Sequence, residues 1–165
     1  MMKNTYVFLL VIFLHSCGIY SFSGASISSD IKSVSVSNFI VSAPTSPPVL
    51  SNLLTESLKD KFNDETNLSI LSVNGDLQFD GEISSYKLKP IAIQQNETAA
   101  QNRLTITVKV KYSNNLDDEF NYNTSFSRFR DYSSSQDLSA VEQELIEEIT
   151  VELVDDIFNK ALTNW

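Results

Sequence analysis

The sequence has a single cysteine and a single histidine. Both, Cys17 and His15, stand near its start. Beyond Cys17 the chain therefore has no imidazole and no thiol. That excludes Ser-His-Asp and Cys-His catalysis, zinc sites with nitrogen or sulfur ligands, and disulfides. Glycine is scarce as well: Gly18, Gly24, Gly75 and Gly81 are too scattered for a phosphate-cradling loop. Positive charge is in the minority, with 12 Lys and Arg against 21 Asp and Glu and a net charge of −9. A chain this acidic is not expected to bind nucleic acid non-specifically. Carboxylate pairs or Lys and Ser chemistry remain open to an enzyme, but no motif points to either, so no catalytic residue, metal or dissociable cofactor is expected.

What is present begins with one short apolar run. Tyr6 to Leu14 follows a segment carrying Lys3. A charged start, an apolar stretch of roughly 7–15 residues and a small residue at the end make a secretory signal. The run falls short of the about 20 residues that span a bilayer as a helix. It closes on Leu14-His15-Ser16-Cys17. This resembles a bacterial lipobox, in which the cysteine receives a diacylglycerol and, after cleavage, an N-acyl chain such as palmitate. Several acyl chains, at roughly 0.8 kcal/mol per buried methylene, anchor a protein stably. Residues 1–16 are read as the signal and residues 17–29 as the lipidated start and tether. Residues 30–165 are read as a single domain. Loss of Lys3 with the signal takes the charge from −9 to −10.

The domain alternates between two periodicities. Ile31 to Ile40, with Val34 and Val36 between serines, reads as a first strand. Ala43-Pro44-Thr45-Ser46-Pro47-Pro48 breaks it. Leu50, Leu54, Leu58 and Phe62 then share one helical face, up to Asn63-Asp64-Glu65-Thr66. Leu68 to Val73 reads as a short strand and Asn74-Gly75-Asp76 as a turn. Leu77 to about Ile93 reads as a long strand whose parity changes near Ser84-Ser85, which predicts a bulge. Leu104, Ile106, Val108, Val110 and Tyr112 alternate with Arg103, Thr105, Thr107, Lys109 and Lys111. This predicts a strand with one wet face. Phe120 to Tyr132 returns beside it, with a second parity slip after Phe126. A capping box of Ser139 and Glu142 opens the last helix. Its rows Val141, Leu145, Ile149, Leu153, Ile157, Ala161 and Leu138, Ile146, Val154, Phe158, Leu162 form a broad apolar stripe. The expected fold is α+β: a two-layer sandwich with two helices on one face of a mainly antiparallel sheet of about four strands. The other sheet face must meet water or a partner.

The acidic outer row of the last helix (Glu144, Glu147, Glu148, Glu152, Asp155) lacks the turn geometry of a calcium loop and reads as a solvated face. The basic residues are more suggestive. Lys87, Lys89, Arg103, Lys109, Lys111, Arg128 and Arg130 all fall in predicted strands. They are candidate contacts for an anionic amphiphile or a barrel wall. Outward Lys and Arg also serve solubility and edge protection.

Several stretches together carry a family resemblance. Cys17-Gly18-Ile19-Tyr20-Ser21-Phe22-Ser23-Gly24, Asn102 to Lys111, Ser125-Phe126-Ser127-Arg128-Phe129 and the ending Asp156 to Trp165 resemble the LptE lipopolysaccharide-assembly lipoproteins in their Bacteroidetes form. The resemblance implies a lipoprotein on the periplasmic side of the outer membrane. It would plug the LptD β-barrel and assist delivery of lipopolysaccharide to the outer leaflet. Gly18 after the cysteine, and a tether without an acidic run, are similar to the pattern of outer-membrane lipoproteins that face the periplasm. The competing expectation is a lipoprotein adaptor of another envelope transport or barrel-assembly complex.

Overall fold

The computed structural model describes residues 27–91 and 100–162. The export signal, Cys17 and most of the tether lie outside the described residues. The strands are β1 (Ser33–Val36), β2 (Ile40–Val41), β3 (Ser69–Leu71), β4 (Leu77–Ile91), β5 (Gln101–Asn114) and β6 (Tyr122–Ser133). The helices are α1 (Val49–Glu65) and α2 (Leu138–Leu162), and Asp118–Phe120 forms a single 3-10 turn. The strand order is β3-β1-β4-β5-β6, with β2 also on β4.

The two-layer α+β arrangement is as expected, with more strands and a mixed sheet. Only β4, β5 and β6 are antiparallel neighbours. β1 runs parallel to both β3 and β4, and β2 runs parallel to β4. The reason is the crossover: α1 carries the chain from β1 back to the start of β3, and a helical crossover joins parallel strands. The single strand expected over Ile31 to Ile40 divides into β1 and the two-residue β2. Between them Phe39 turns inward over Gly81, whose absent side chain leaves room for the ring.

The segment after β3 does not make a hairpin. It crosses β1 on the helix-free face to reach β4 on the far side. Asn74 takes a left-handed conformation (φ 57°), which asparagine tolerates. Gly75 lies directly on the β1 backbone and donates its N–H to Ser35 Oγ. Asp76 then accepts from the backbone N–H of Lys32 and Ser33 and from the Ser33 hydroxyl, at 2.8–3.0 Å. These bonds favour the ionised carboxylate and hold it below the ordinary value of 3.8. The stabilisation is complete above pH 3.8 and is lost as the pH falls through the lower folded-state value. Asp76→Asn is therefore expected to be less stable than the parent at neutral pH, with the gap closing as the pH drops below 3.8. Urea unfolding of both proteins across that range checks this.

The core lies between sheet and helices. From α1 it receives Leu50, Leu54, Leu58 and Phe62, and from β5 it receives Leu104, Ile106, Val108, Val110 and Tyr112. The α2 stripe contributes Leu145, Ile146, Ile149, Leu153, Val154, Ile157, Phe158 and Ala161. The β4–β5 register shifts between Ile83 and Ser85, where the bulge was expected. It returns Tyr86 to the core side after an odd-numbered start to the strand.

Two local expectations are corrected. The β5–β6 register is continuous, so β6 has no phase slip after Phe126. Arg128 and Arg130 simply occupy inward positions, opposite Ile106 and Leu104. Their long stems carry the guanidinium groups past the apolar layer to α2. Ser139 does not cap α2, which begins one residue earlier at Leu138. Glu142 instead accepts a hydrogen bond from the Tyr86 hydroxyl, and burial with this bond raises the Tyr86 pKa.

Candidate functional site

Strand geometry sorts the seven basic candidates onto two faces, because alternate residues point to opposite sides. In β5 the even-numbered residues from Leu104 to Tyr112 are buried under the helices. Arg103, Lys109 and Lys111 therefore sit on the helix-free face. Lys87 lies opposite Thr105 and Lys89 opposite Arg103, which places both lysines on that face too. Five of the seven thus share one side of the sheet. Arg128 and Arg130 do not join them.

The five form two groups. Lys87, Lys89 and Arg103 cluster at the end of the sheet where β4 finishes. Arg103 makes a bidentate pair with Asp131, at 2.7 and 2.8 Å. The same guanidinium stacks on the exposed Phe129 ring, 3.7 Å from its centroid. The pair raises the arginine and holds the Asp131 carboxyl below its ordinary range. Lys109 and Lys111 lie nearer the other end, opposite Glu82 and Asp80 respectively. No ion pair among the described residues involves Lys87, Lys89, Lys109 or Lys111. Between the groups the face presents hydroxyls, with Thr107 and Ser127 in contact at 3.0 Å. Exposed cations beside an exposed aromatic ring suit an anionic amphiphile: phosphate or carboxylate for the lysines, an apolar edge for Phe129.

Arg128 and Arg130 serve the fold. Arg128 grips Asp156 with two bonds of 2.6 Å. Arg130 donates to Glu148 at 2.5 Å and to Glu152 at 2.7 Å. Asp155 pairs with Lys61 of α1. The acidic row of α2, expected to be merely solvated, is thus partly committed to tying α2 to β6 and to α1. Sequence inspection could have found this from periodicity alone: cations two apart on an edge strand match carboxylates four apart on a helix. Arg128→Gln with Arg130→Gln, which removes both positive charges, is expected to loosen the last strand. Amide hydrogen exchange along β6 should then accelerate well before that along β5.

Lys87 and Lys89 have a second setting. Past the bulge, β4 has β5 on one side only. The Tyr86 carbonyl accepts from the Thr45 hydroxyl on the other side. By alternation Leu88 and Pro90 offer their backbones to that same open edge. Pro90 has no N–H to leave unpaired, and lysines and proline together discourage a foreign strand from adding there.

Among the described residues no helix is long and apolar enough to cross a membrane. No curated protein matches the chain by sequence. Solved structures share its fold. A minor lipoprotein of Acinetobacter baumannii is 15% identical with a TM-score of 0.53, over 82% of this chain and 95% of its own. A Xanthomonas campestris protein is 11% identical with a TM-score of 0.54, over 81% and 85%. A Chlamydia trachomatis protein is 9% identical with a TM-score of 0.53, over 81% and 99%. The family model for LptE, lipopolysaccharide-assembly, matches residues 31–161. That span takes in α1, all but the last residue of α2 and every strand among the described residues, and the chain belongs to the LptE family of lipopolysaccharide-assembly proteins.

Proposed function

We propose that this chain is a non-enzymatic lipoprotein of the outer membrane. Cys17 carries the lipid anchor on the periplasmic side, and the domain sits in the lumen of an LptD-type β-barrel, where it assists lipopolysaccharide assembly. Family membership supports the role in lipopolysaccharide transport. The observation that supports a direct contact is the helix-free sheet face, where Lys87 and Lys89 stand opposite Thr105 and Arg103 and the Arg103 guanidinium stacks on the exposed Phe129 ring. On an acidic protein this is a local cationic surface, suited to the phosphates of lipid A or to an acidic wall inside the barrel.

Affinity purification of the tagged, lipidated protein from detergent-solubilised outer membranes tests the partner. The expected result is a roughly stoichiometric LptD-like barrel. Recovery of a different transporter in its place would support the adaptor reading instead. The surface has its own test. Lys87→Glu with Lys89→Glu is expected to weaken lipopolysaccharide binding about tenfold or more, as loss of charge-assisted contacts worth roughly 1.5–3 kcal/mol each would do. Lys109→Glu with Lys111→Glu is expected to weaken it less, because Glu82 and Asp80 already face those lysines. Unchanged binding in both variants removes this face as the contact.

A further inference from the structure

Strand β6 stands at one end of the sheet order, and among the described residues no strand pairs with its outer side. The open stretch of β4 is protected by Lys87, Lys89 and Pro90. β6 has no such device. Its 12 residues, Tyr122–Ser133, include no lysine, proline or glycine, and its register on β5 runs unbroken. A long, regular edge of this kind accepts a further strand. Alternation decides which backbone groups it offers. Asn115, just past β5, donates to Asp76 on the β4 side, and Ser134 donates to Ala100 across the β5–β6 pairing. Odd-numbered residues of β5 therefore bond to β4 and even-numbered ones to β6. The even-numbered residues of β6 answer them, so Asn123, Ser125, Ser127, Phe129 and Asp131 turn their N–H and C=O groups outward. The Phe129 carbonyl takes a bond from the Arg130 guanidinium at 3.0 Å and keeps a second lone pair.

We propose that two copies of this chain join antiparallel through these edges, with Ser127 opposite itself across a two-fold axis. Centred there, the strand is complementary to its own copy. Ser125 meets the partner's Phe129, Asn123 the partner's Asp131 and Phe126 the partner's Arg128, so no like charges stand opposite one another. A centre one residue further on would set Arg128 against Arg128. The charges at this edge are already answered within each chain: Arg103 by Asp131, Arg128 by Asp156, Arg130 by Glu148 and Glu152. A patch that pairs with itself about a two-fold axis closes at two copies. Odd-numbered residues face odd-numbered ones in this register, so the two helix-free faces become one continuous surface with the lysines of both copies. This pairing goes beyond the barrel reading and does not depend on it, because it concerns copies outside a barrel.

Sedimentation of the purified full chain in detergent, free of other proteins, should show two chains per particle at high concentration and one on dilution. Ser127→Pro removes an N–H that β5 does not use, at an edge position where proline is tolerated. The two-fold axis makes the pairing lose that bond twice. Association should weaken about tenfold or more, while far-UV circular dichroism stays native. Cross-linking tests the register. Opposed residues that exchange both backbone bonds lie about 5.5 Å apart at Cα, within the span of a disulfide. Ser127→Cys should therefore cross-link two chains several-fold faster than Ser125→Cys. A chain that stays single at every concentration overturns the proposal. So does equal cross-linking at the two positions, which would show proximity in a micelle without this register. A dimer untouched by Ser127→Pro overturns it as well, by placing the interface elsewhere.

Discussion

Phe62→Ala is expected to destabilise the domain by about 3–5 kcal/mol, the cost typical of truncating a fully buried large aromatic residue. Phe62 has no exposed surface. Its ring lies 5.2 Å from that of Phe79 on β4 and 5.0 Å from that of Phe158 on α2. Phe79 in turn meets Tyr112 at 4.9 Å. One side chain of α1 thus touches both the sheet and the second helix. The cavity left behind would be bounded by three elements that hold one another in place, which limits collapse into it. Against a total stability of 5–15 kcal/mol for a typical domain, such a loss leaves a measurable unfolded fraction at physiological temperature. Urea unfolding checks it. Phe62→Leu should cost distinctly less, because most of the volume remains.

Gly75→Ala is expected to be nearly as harmful, for the opposite reason. A Cβ there would come within 2.5 Å of the Ser35 nitrogen, 2.6 Å of the Val34 carbonyl carbon and 2.8 Å of the Leu77 carbonyl oxygen. All three atoms are backbone, so no rotamer change relieves the clash. The crossing segment must lift off β1, taking with it the Gly75 bond to Ser35 and straining those from Asp76. Overpacking ordinarily costs about 1–3 kcal/mol, and with no side chain able to yield this site should lie at or above the top of that range. Gly81→Ala is the internal comparison. There the Cβ would meet the Phe39 ring at 2.3–2.5 Å, and the ring is a side chain that can turn aside. Thermal unfolding should rank Gly75→Ala as the more damaging of the two.

The parts of the fold that were legible in the sequence are those with a long period. Strand β5 and helix α2 each repeat their apolar pattern many times; the alternation of β5 from Leu104 to Tyr112 is its buried face, and the middle of the α2 stripe is buried while Leu138, Val141 and Leu162 at its ends are only partly so. The bulge near Ser84 was legible because a parity change leaves a mark on both sides of it. Strand β2 has two residues, too few for any period to show, whereas β3 falls within the short strand expected over Leu68 to Val73. Strand direction was not legible either: alternation is the same in a parallel and an antiparallel neighbour, and only the α1 crossover decides it. On the candidate site, composition identified the basic residues but could not sort them. The sorting needed the register of β6, where two arginines stand at positions that parity assigns to the core. Sequence reasoning assigned them a slip because inward arginines look like outward ones until the carboxylates of α2 are placed beside them. Asp76 escaped notice for a similar reason, since its partners are more than forty positions away.

The way β1 is held bears on how the domain would carry a mechanical load. A pull on the chain ahead of residue 27 arrives first at Lys32 and Ser33, where the Asp76 carboxylate grips two amide groups and a hydroxyl. Behind that grip β1 is flanked on both sides by parallel strands. Force along the strand axis must therefore shear both ladders at once rather than unzip them one bond at a time. An element of only four residues thereby becomes a firm point of attachment. A domain hung from a membrane by its N-terminus would transmit tension through it into the long strand β4 without first unravelling at its own edge.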